Sequence, residues 1–279
     1  MGSTTHDAHQ PPSILIFDSG AGGLSILQEM RRKLAGEHFD YLMDTAFFPY
    51  GNQSDSVLEK RIVELCVTAV AKLKPDMLIL ACNTASTLAL PHLRAALEIP
   101  VVGVVPAIRV AAGYCDLNGL SEFGLLATPA TVQRSYTDQL IEDFASHVTV
   151  HRFGSPILVS LAERHIAGEN VKPMLSEHLQ PWLDQHPDMK TIVLGCTHYP
   201  LLRELFESLW PQHTWIDSGE AVARQAQKVW QQANTEPTPS AVGGPTTHLH
   251  WTGPDEPSGI RAYLSEFGEQ TQIASFSEP

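Results

Sequence analysis

The feature that most restricts this chain is a rhythm: short apolar runs alternate with amphipathic segments along almost its whole length. SILIFDSG leads into GLSILQEMRRKL, FDYLMD into a stretch of helical spacing from about Ser54 to Leu73, and DMLILACN into TASTLALPHLRAAL. Buried strands separated by amphipathic helices build βαβ units around a largely parallel sheet, so the fold class is α/β. The rhythm restarts at PVVGVVPAI, runs through EFGLLATPATVQRSYTDQLIEDF and ILVSLAERH, and closes with KTIVLGCTHYP. TWIDSGEAVARQAQKVWQQA then adds a strand and a long helix. NTEPTPSAVGGPTT breaks all periodicity ahead of a last strand, HLHWTG, and a short helix. The halves 14–97 and 101–209 are built alike. We therefore expect two similar α/β domains with mainly parallel sheets, facing each other across a shared active-site cleft. The first would comprise residues 13–104 with 216–279 returning to complete it, the second residues 105–215, and residues 1–12 a loose tail.

Charge narrows the partners. A formal net charge of -13 disfavours a nucleic-acid backbone or an anionic membrane, both of which need a surplus of Lys and Arg. Small molecules and other proteins remain, a second copy of the chain in a homodimer among them. The opening MGSTTHDAHQPP lacks the basic start and apolar middle of a signal peptide. No apolar run approaches the roughly 20 residues that span a bilayer. The expected location is cytoplasmic, and the four cysteines are expected to be free thiols rather than a disulfide framework.

Two of those cysteines share a setting. In ILACNTAS (79–86) and IVLGCTHY (192–199) an apolar run meets a small residue, a cysteine and then hydroxyl and amide groups where a helix would begin. A helix N-terminus favours the thiolate, the reactive form of cysteine. Cys66 lies instead on the apolar stripe of its helix, with Leu58, Ile62, Leu65, Ala69, Val70 and Leu73, and Cys115 has no polar cluster beside it. Both read as core. Asn83 and Thr84 follow Cys82; Thr197 and His198 follow Cys196, and a histidine with an unperturbed pKa of about 6.5 suits proton relay.

Other strand ends add candidates. FDSGAGGLS (17–25) departs from the dinucleotide fingerprint, because Gly20 and Gly22 are followed by Ser25 where Gly or Ala is needed. The turn at Asp18-Ser19 reads either as a capped tight turn or as a set of open N–H groups for a substrate carboxylate. MDTAFFPYG (43–51) places Asp44 at a strand end, with the Tyr50-Gly51 backbone in the next loop. No cationic residue accompanies either cysteine corner, so a substrate carboxylate would rest on Ser, Thr, Asn and backbone N–H groups.

Two cysteines facing one cleft suit inversion of a carbon stereocentre. One base removes a proton from one face while an acid supplies one to the other; a single base tends to return the proton to the face it left. One cysteine would be thiolate and its partner thiol, with donors at both corners stabilising the carbanion between them.

At these residues the sequence closely resembles the glutamate racemases, of the cofactor-independent aspartate/glutamate racemase superfamily. The resemblance runs from about Ser13 to Phe267 through FDSGAGGLS, DTAFFPYG, ACNTAS, GVVPA, LLATPATVQRSYT, LGCTHYPLL and IDSGEAVA, in that order. It implies Cys82 and Cys196 as catalytic acid and base, assisted by Asp18 and His198. Glu163, in PILVSLAE, matches a family glutamate. Implied substrate contacts are Ser19, Asp44, Tyr50, Gly51, Asn83, Thr84, Thr131 and Thr197. The resemblance also implies glutamate as substrate, D-glutamate for bacterial peptidoglycan as product, and neither pyridoxal phosphate nor metal. The chain departs from the family pattern at Gly154-Ser155-Pro156 and Ser160, near Glu163, and at Thr128-Pro129-Ala130-Thr131.

Other readings predict different behaviour. An aspartate racemase would lack His-Tyr-Pro after the second Cys-Thr. A hydrolase built on Cys196 and His198 leaves Cys82 unexplained. A metal sensor using Cys82, Cys196, His198 and Asp18 lacks the short-spaced ligand pairs usual in structural zinc sites.

Overall fold

The computed structural model describes residues 12–233, 246–266, 271–273 and 276. Most of the expected tail and of the aperiodic loop NTEPTPSAVGGPTT lies outside them.

Among the described residues, ten strands form two parallel sheets. The first contains β1 (Ser13–Asp18), β2 (His38–Met43), β3 (Met77–Leu80), β4 (Val101–Gly103), β9 (Thr247–Trp251) and β10 (Thr271–Ile273), in the order β10-β9-β2-β1-β3-β4. The second contains β5 (Glu122–Ala127), β6 (Thr149–Gly154), β7 (Thr191–Leu194) and β8 (Thr214–Ile216), in the order β6-β5-β7-β8. All the pairings are parallel.

Helices cover the sheets: α1 (Leu24–Lys33), α2 (Asp55–Leu73), α3 (Asn83–Ala96), α4 (Ile108–Asn118), α5 (Pro129–Gln133), α6 (Ser135–Ala145), α7 (Leu158–Ile166), α8 (Lys172–Gln185), α9 (Arg203–Leu209), α10 (Gly219–Ala233) and α11 (Ile260–Glu266). Cover on both faces explains why β1 reads as an unbroken apolar run. Ile14 and Ile16 join one buried cluster, while Leu15 and Phe17 point the other way into a second. α2 meets that second cluster through Leu58, Ile62, Leu65, Cys66 and Ala69, and stops where Lys74 turns left-handed at φ 53°. Cys115 belongs to a third cluster, around β5. All four cysteines are free and buried. Among the described residues no helix is long and apolar enough to cross a membrane.

The two sheets repeat one device. β1 is flanked by β2 on one side and β3 on the other, and β5 by β6 and β7 in the same way. Each sheet therefore has a point where successive connections leave in opposite directions, opening a crevice at the carboxyl ends of its strands. Cys82 follows β3 and Cys196 follows β7. This equivalence explains why the sequence carries a cysteine twice at the same kind of corner.

Candidate active site

Both crevices open into one cavity of about 140 Å³. From the first sheet's strand ends come Ser19, Tyr50, Gly51, Cys82, Asn83 and Thr84; from the second's come Thr131, Cys196, Thr197 and His198. Ten of the expected residues are thus brought to one cleft. Its lining contains no Lys or Arg.

The two corners differ in backbone. After β3, Ser86 N–H donates to the Cys82 carbonyl at 2.8 Å, a full α-helical turn, and Cys82 stands at the N-terminus of α3. The Ala85 N–H reaches the Cys82 sulfur. After β7 the expected helix start is replaced by a 3₁₀ turn at Tyr199–Leu202. The fourth residue after Cys196 is Pro200, which has no N–H to offer its carbonyl. Tyr199 N–H donates instead, at 3.0 Å, and the turn tightens.

Asp18 lies fully buried behind the cleft. Its Oδ1 accepts from Gly20 N–H at 2.8 Å and the Ser19 hydroxyl at 3.3 Å, and its Oδ2 accepts from the Thr197 hydroxyl at 2.9 Å. Ser19 Oγ stands 4.0 Å from the Cys82 sulfur. Asp18 therefore reaches Cys82 through Ser19, and through Thr197 it also braces the Cys196 corner. Burial pushes its carboxyl up to about 6, while His198, the Gly20 N–H and the Thr197 hydroxyl pull the other way. Burial, reinforced by the nearby Asp18 charge, pushes the Cys82 thiol far up.

His198 is buried against Glu163. Its Nε2 lies 2.8 Å from Glu163 Oε1, and both His198 and Cys196 line the cleft. Burial alone would push the imidazole down, but the bonds and charges of Cys196 and Glu163 outweigh it and hold His198 well above its ordinary value. The same bond draws the Glu163 carboxyl below its usual range against the cost of burial. Glu163 Oε1 also accepts from Ala21 N–H at 2.9 Å. With Gly20 N–H on Asp18 and Ala21 N–H on Glu163, these two amides of the glycine-rich turn are occupied within the protein. Those two amides are therefore not open to a substrate carboxylate. Gly20 is small for a reason: a Cβ there would stand 2.6 Å from Glu163 Oε1.

Asp44 does not line the cleft. Its carboxylate accepts from Tyr50 Oη at 2.8 Å, from Arg61 Nε at 3.0 Å and Nη2 at 2.7 Å, and from Thr252 Oγ1 at 2.7 Å. Filled from four directions, it anchors the Tyr50-Gly51 loop from behind. The Tyr50 hydroxyl is spent on Asp44, which leaves the loop's backbone and ring edge for the cleft. Asn83 differs: its Oδ1 is buried with no hydrogen-bond partner among the described residues.

Sequence reasoning missed Thr128 and Ser155 as lining residues. Thr128 caps α5, its hydroxyl accepting from Thr131 N–H at 3.3 Å and pairing with Thr131 Oγ1 at 2.9 Å. Ser155 accepts from Leu158 N–H at 3.2 Å at the start of α7, the helix that carries Glu163. The signal was present in both cases: a hydroxyl residue followed by proline at a strand end is a helix-capping pair. Among the described residues, no three His, Cys, Asp or Glu side chains are arranged to hold a metal ion.

Two crevices, each with a sulfur at its strand ends, line one cavity of the size of a small molecule. The chain belongs to the Asp/Glu/hydantoin racemase family, whose pattern matches residues 14–226. Its relatives place it among the glutamate racemases, which are isomerases. It is 46% identical over 229 residues to the glutamate racemase of Photorhabdus laumondii, covering 81% of this chain and 79% of that one. To the glutamate racemase of Proteus mirabilis it is 46% identical over 239 residues, covering 84% and 81%. Its structure is similar to that of Escherichia coli glutamate racemase in complex with L-glutamate and the activator UDP-MurNAc-Ala. There the TM-score is 0.82 and the identity 36%, over 96% of this chain and 99% of that one.

Proposed function

We infer that this protein interconverts L- and D-glutamate by proton transfer between two sulfurs, without an added cofactor. The observation that carries the reading is the placement of Cys82 and Cys196 at equivalent corners of two like sheets, both lining one cavity. Starting from L-glutamate, the Cys196 thiolate takes the α-proton as the Cα–H bond breaks. The electron pair left on carbon then takes the proton of the Cys82 thiol from the opposite face. The reverse reaction exchanges the roles. His198 assists Cys196, and Asp18 acts on Cys82 through Ser19.

The substrate carboxylates fit a lining of hydroxyls and loop amides from Ser19, Gly51, Thr84, Thr131 and Thr197. The unpartnered Oδ1 of Asn83 suits the substrate ammonium. Two units, 13–104 with 216–279 and 105–215, would then hold one sulfur each. The proposed setting is the bacterial cytoplasm, where D-glutamate enters peptidoglycan.

The test is incubation of metal-stripped protein with L-glutamate, followed by chiral separation. The expected outcome is an equal mixture of enantiomers. Activity lost to chelator and restored by metal would overturn the reading, and equal specificity constants for aspartate and glutamate would favour an aspartate racemase.

A further inference from the structure

Glu163 joins two cavities. On one side its carboxylate holds His198, which lines the cleft; on the other its side chain, 24% exposed, lines a second cavity of about 360 Å³ bounded by Ala21, Thr45, Ala167 and Asp255. Phe48 lines both spaces, and its ring lies 5.8 Å from the His198 ring. His198 is thus coupled to Cys196 on one side and hydrogen-bonded to Glu163 on the other, and Glu163 reaches the second cavity behind the cleft. The other sulfur has no counterpart. Asp18, which serves Cys82, is fully buried and borders neither cavity.

We propose that His198 and Glu163 form a back-door proton conduit, through which Cys196 exchanges its proton with solvent independently of the substrate cleft, whereas Cys82 exchanges only through the cleft itself. The inference rests on the racemase reading. After each L-to-D turnover Cys196 is left as thiol and Cys82 as thiolate, and the enzyme must reset before it can accept L-glutamate again. In the reset, a neutral His198 takes the Cys196 proton at Nδ1 as the S–H bond breaks, its electron pair remaining on sulfur, and the ring gives up its Nε2 proton to Glu163 Oε1. The Glu163 carboxylic acid then releases its proton to water in the second cavity. After a D-to-L turnover the same groups work in reverse and bring a proton in.

Glu163→Gln tests this, because the amide still accepts from His198 but cannot carry the proton. The expected result is a fall in kcat of the order of 10²-fold, the low end for losing proton-transfer assistance. kcat/KM should fall far less than kcat, since resetting follows product release. With α-deuterated glutamate the primary isotope effect on kcat should collapse, and added formate, a small carboxylic acid able to enter the second cavity, should restore kcat. A merely structural role for Glu163 would instead slow the chemical step. kcat and kcat/KM falling together with the isotope effect kept or enlarged would overturn the conduit. Should Glu163→Gln not fold, Ala167→Phe, which fills the second cavity from its exposed rim, decides the matter. Loss of kcat without loss of kcat/KM supports the conduit, and wild-type kinetics overturns it. Absence of racemisation in the unmodified protein would sink the racemase reading itself.

Discussion

The two cleft sulfurs sit in unlike surroundings, one beside a buried carboxylate and the other beside an imidazole, and in the proposed mechanism neither stands in for the other's face. Cys82→Ala and Cys196→Ala should each abolish racemisation with the far-ultraviolet circular dichroism of the wild type, whereas Cys66→Ala and Cys115→Ala should lower stability and spare activity. Substantial turnover by Cys82→Ala would rule out the two-sulfur mechanism. Asp18 gives a prediction in pH. Because its folded-state carboxyl titrates near 6 rather than near its unfolded value of 3.8, the native state holds a proton that the unfolded chain has already released between those two values. Native stability therefore falls as pH rises through this window, by roughly 3 kcal/mol for a shift of about two units. Asp18→Asn removes that loss. Relative to wild type, its melting temperature should climb from about pH 4 to about pH 6 and then level off; a difference that is flat with pH would show that Asp18 enters the fold without an ionisation cost. The stabilised variant should nonetheless be a poorer enzyme.

Among the elements, the strands were the most legible part of the sequence. Their unbroken apolar runs follow from cover on both faces, and the cysteine corners follow from where such runs end. The corner after β7 was read as a second helix start because Cys-Thr-His looks like a cap. Yet Pro200 already encoded the tighter turn by withholding one N–H. What stayed illegible was Asp44. A strand-end aspartate beside Pro-Tyr-Gly looks like a ligand, and only the meeting of α2 with the segment after β9 shows that Arg61 and Thr252 consume both its oxygens. Those partners lie 17 and 208 residues away in the chain, beyond the reach of any local pattern. The ion pair is buried, with Asp44 at 0% and Arg61 at 15% side-chain exposure. Arg61→Ala should therefore cost about 3 kcal/mol by urea unfolding, since it strands a carboxylate in the interior. Because the Tyr50 loop loses its anchor, the KM for glutamate should rise as well. A variant as stable as wild type would mean that Asp44 is held by Tyr50 and Thr252 alone.

At the scale of the whole molecule, the cleft depends on how the two sheets are held together. Arg134, between α5 and α6 beside the second sheet, donates to Thr87 Oγ1 at 3.2 Å on α3 and to Asp55 at 2.6 Å at the start of α2. The Asp55 side chain is 60% exposed, so that pair adds little, but the bond to Thr87 lies one turn from Asn83 and ties the walls of the cleft. Arg134→Ala should raise KM for both enantiomers while leaving the unfolding midpoint almost unchanged. Their specificity constants must fall together, because a racemase cannot alter an equilibrium constant of one. A rise in KM for one enantiomer alone, with kcat unchanged, would break that constraint and point to an error in assigning the reaction.

The latch at Thr252 also sets the order in which the enzyme comes into being. Both sulfurs, Asp18, His198 and Glu163 all leave the ribosome before residue 200, so a nascent chain holds every reactive group long before synthesis ends. The strand that carries Thr252 to Asp44 arrives some fifty residues later. Until it inserts beside β2, Asp44 behind the Tyr50 loop lacks one of its three side-chain partners.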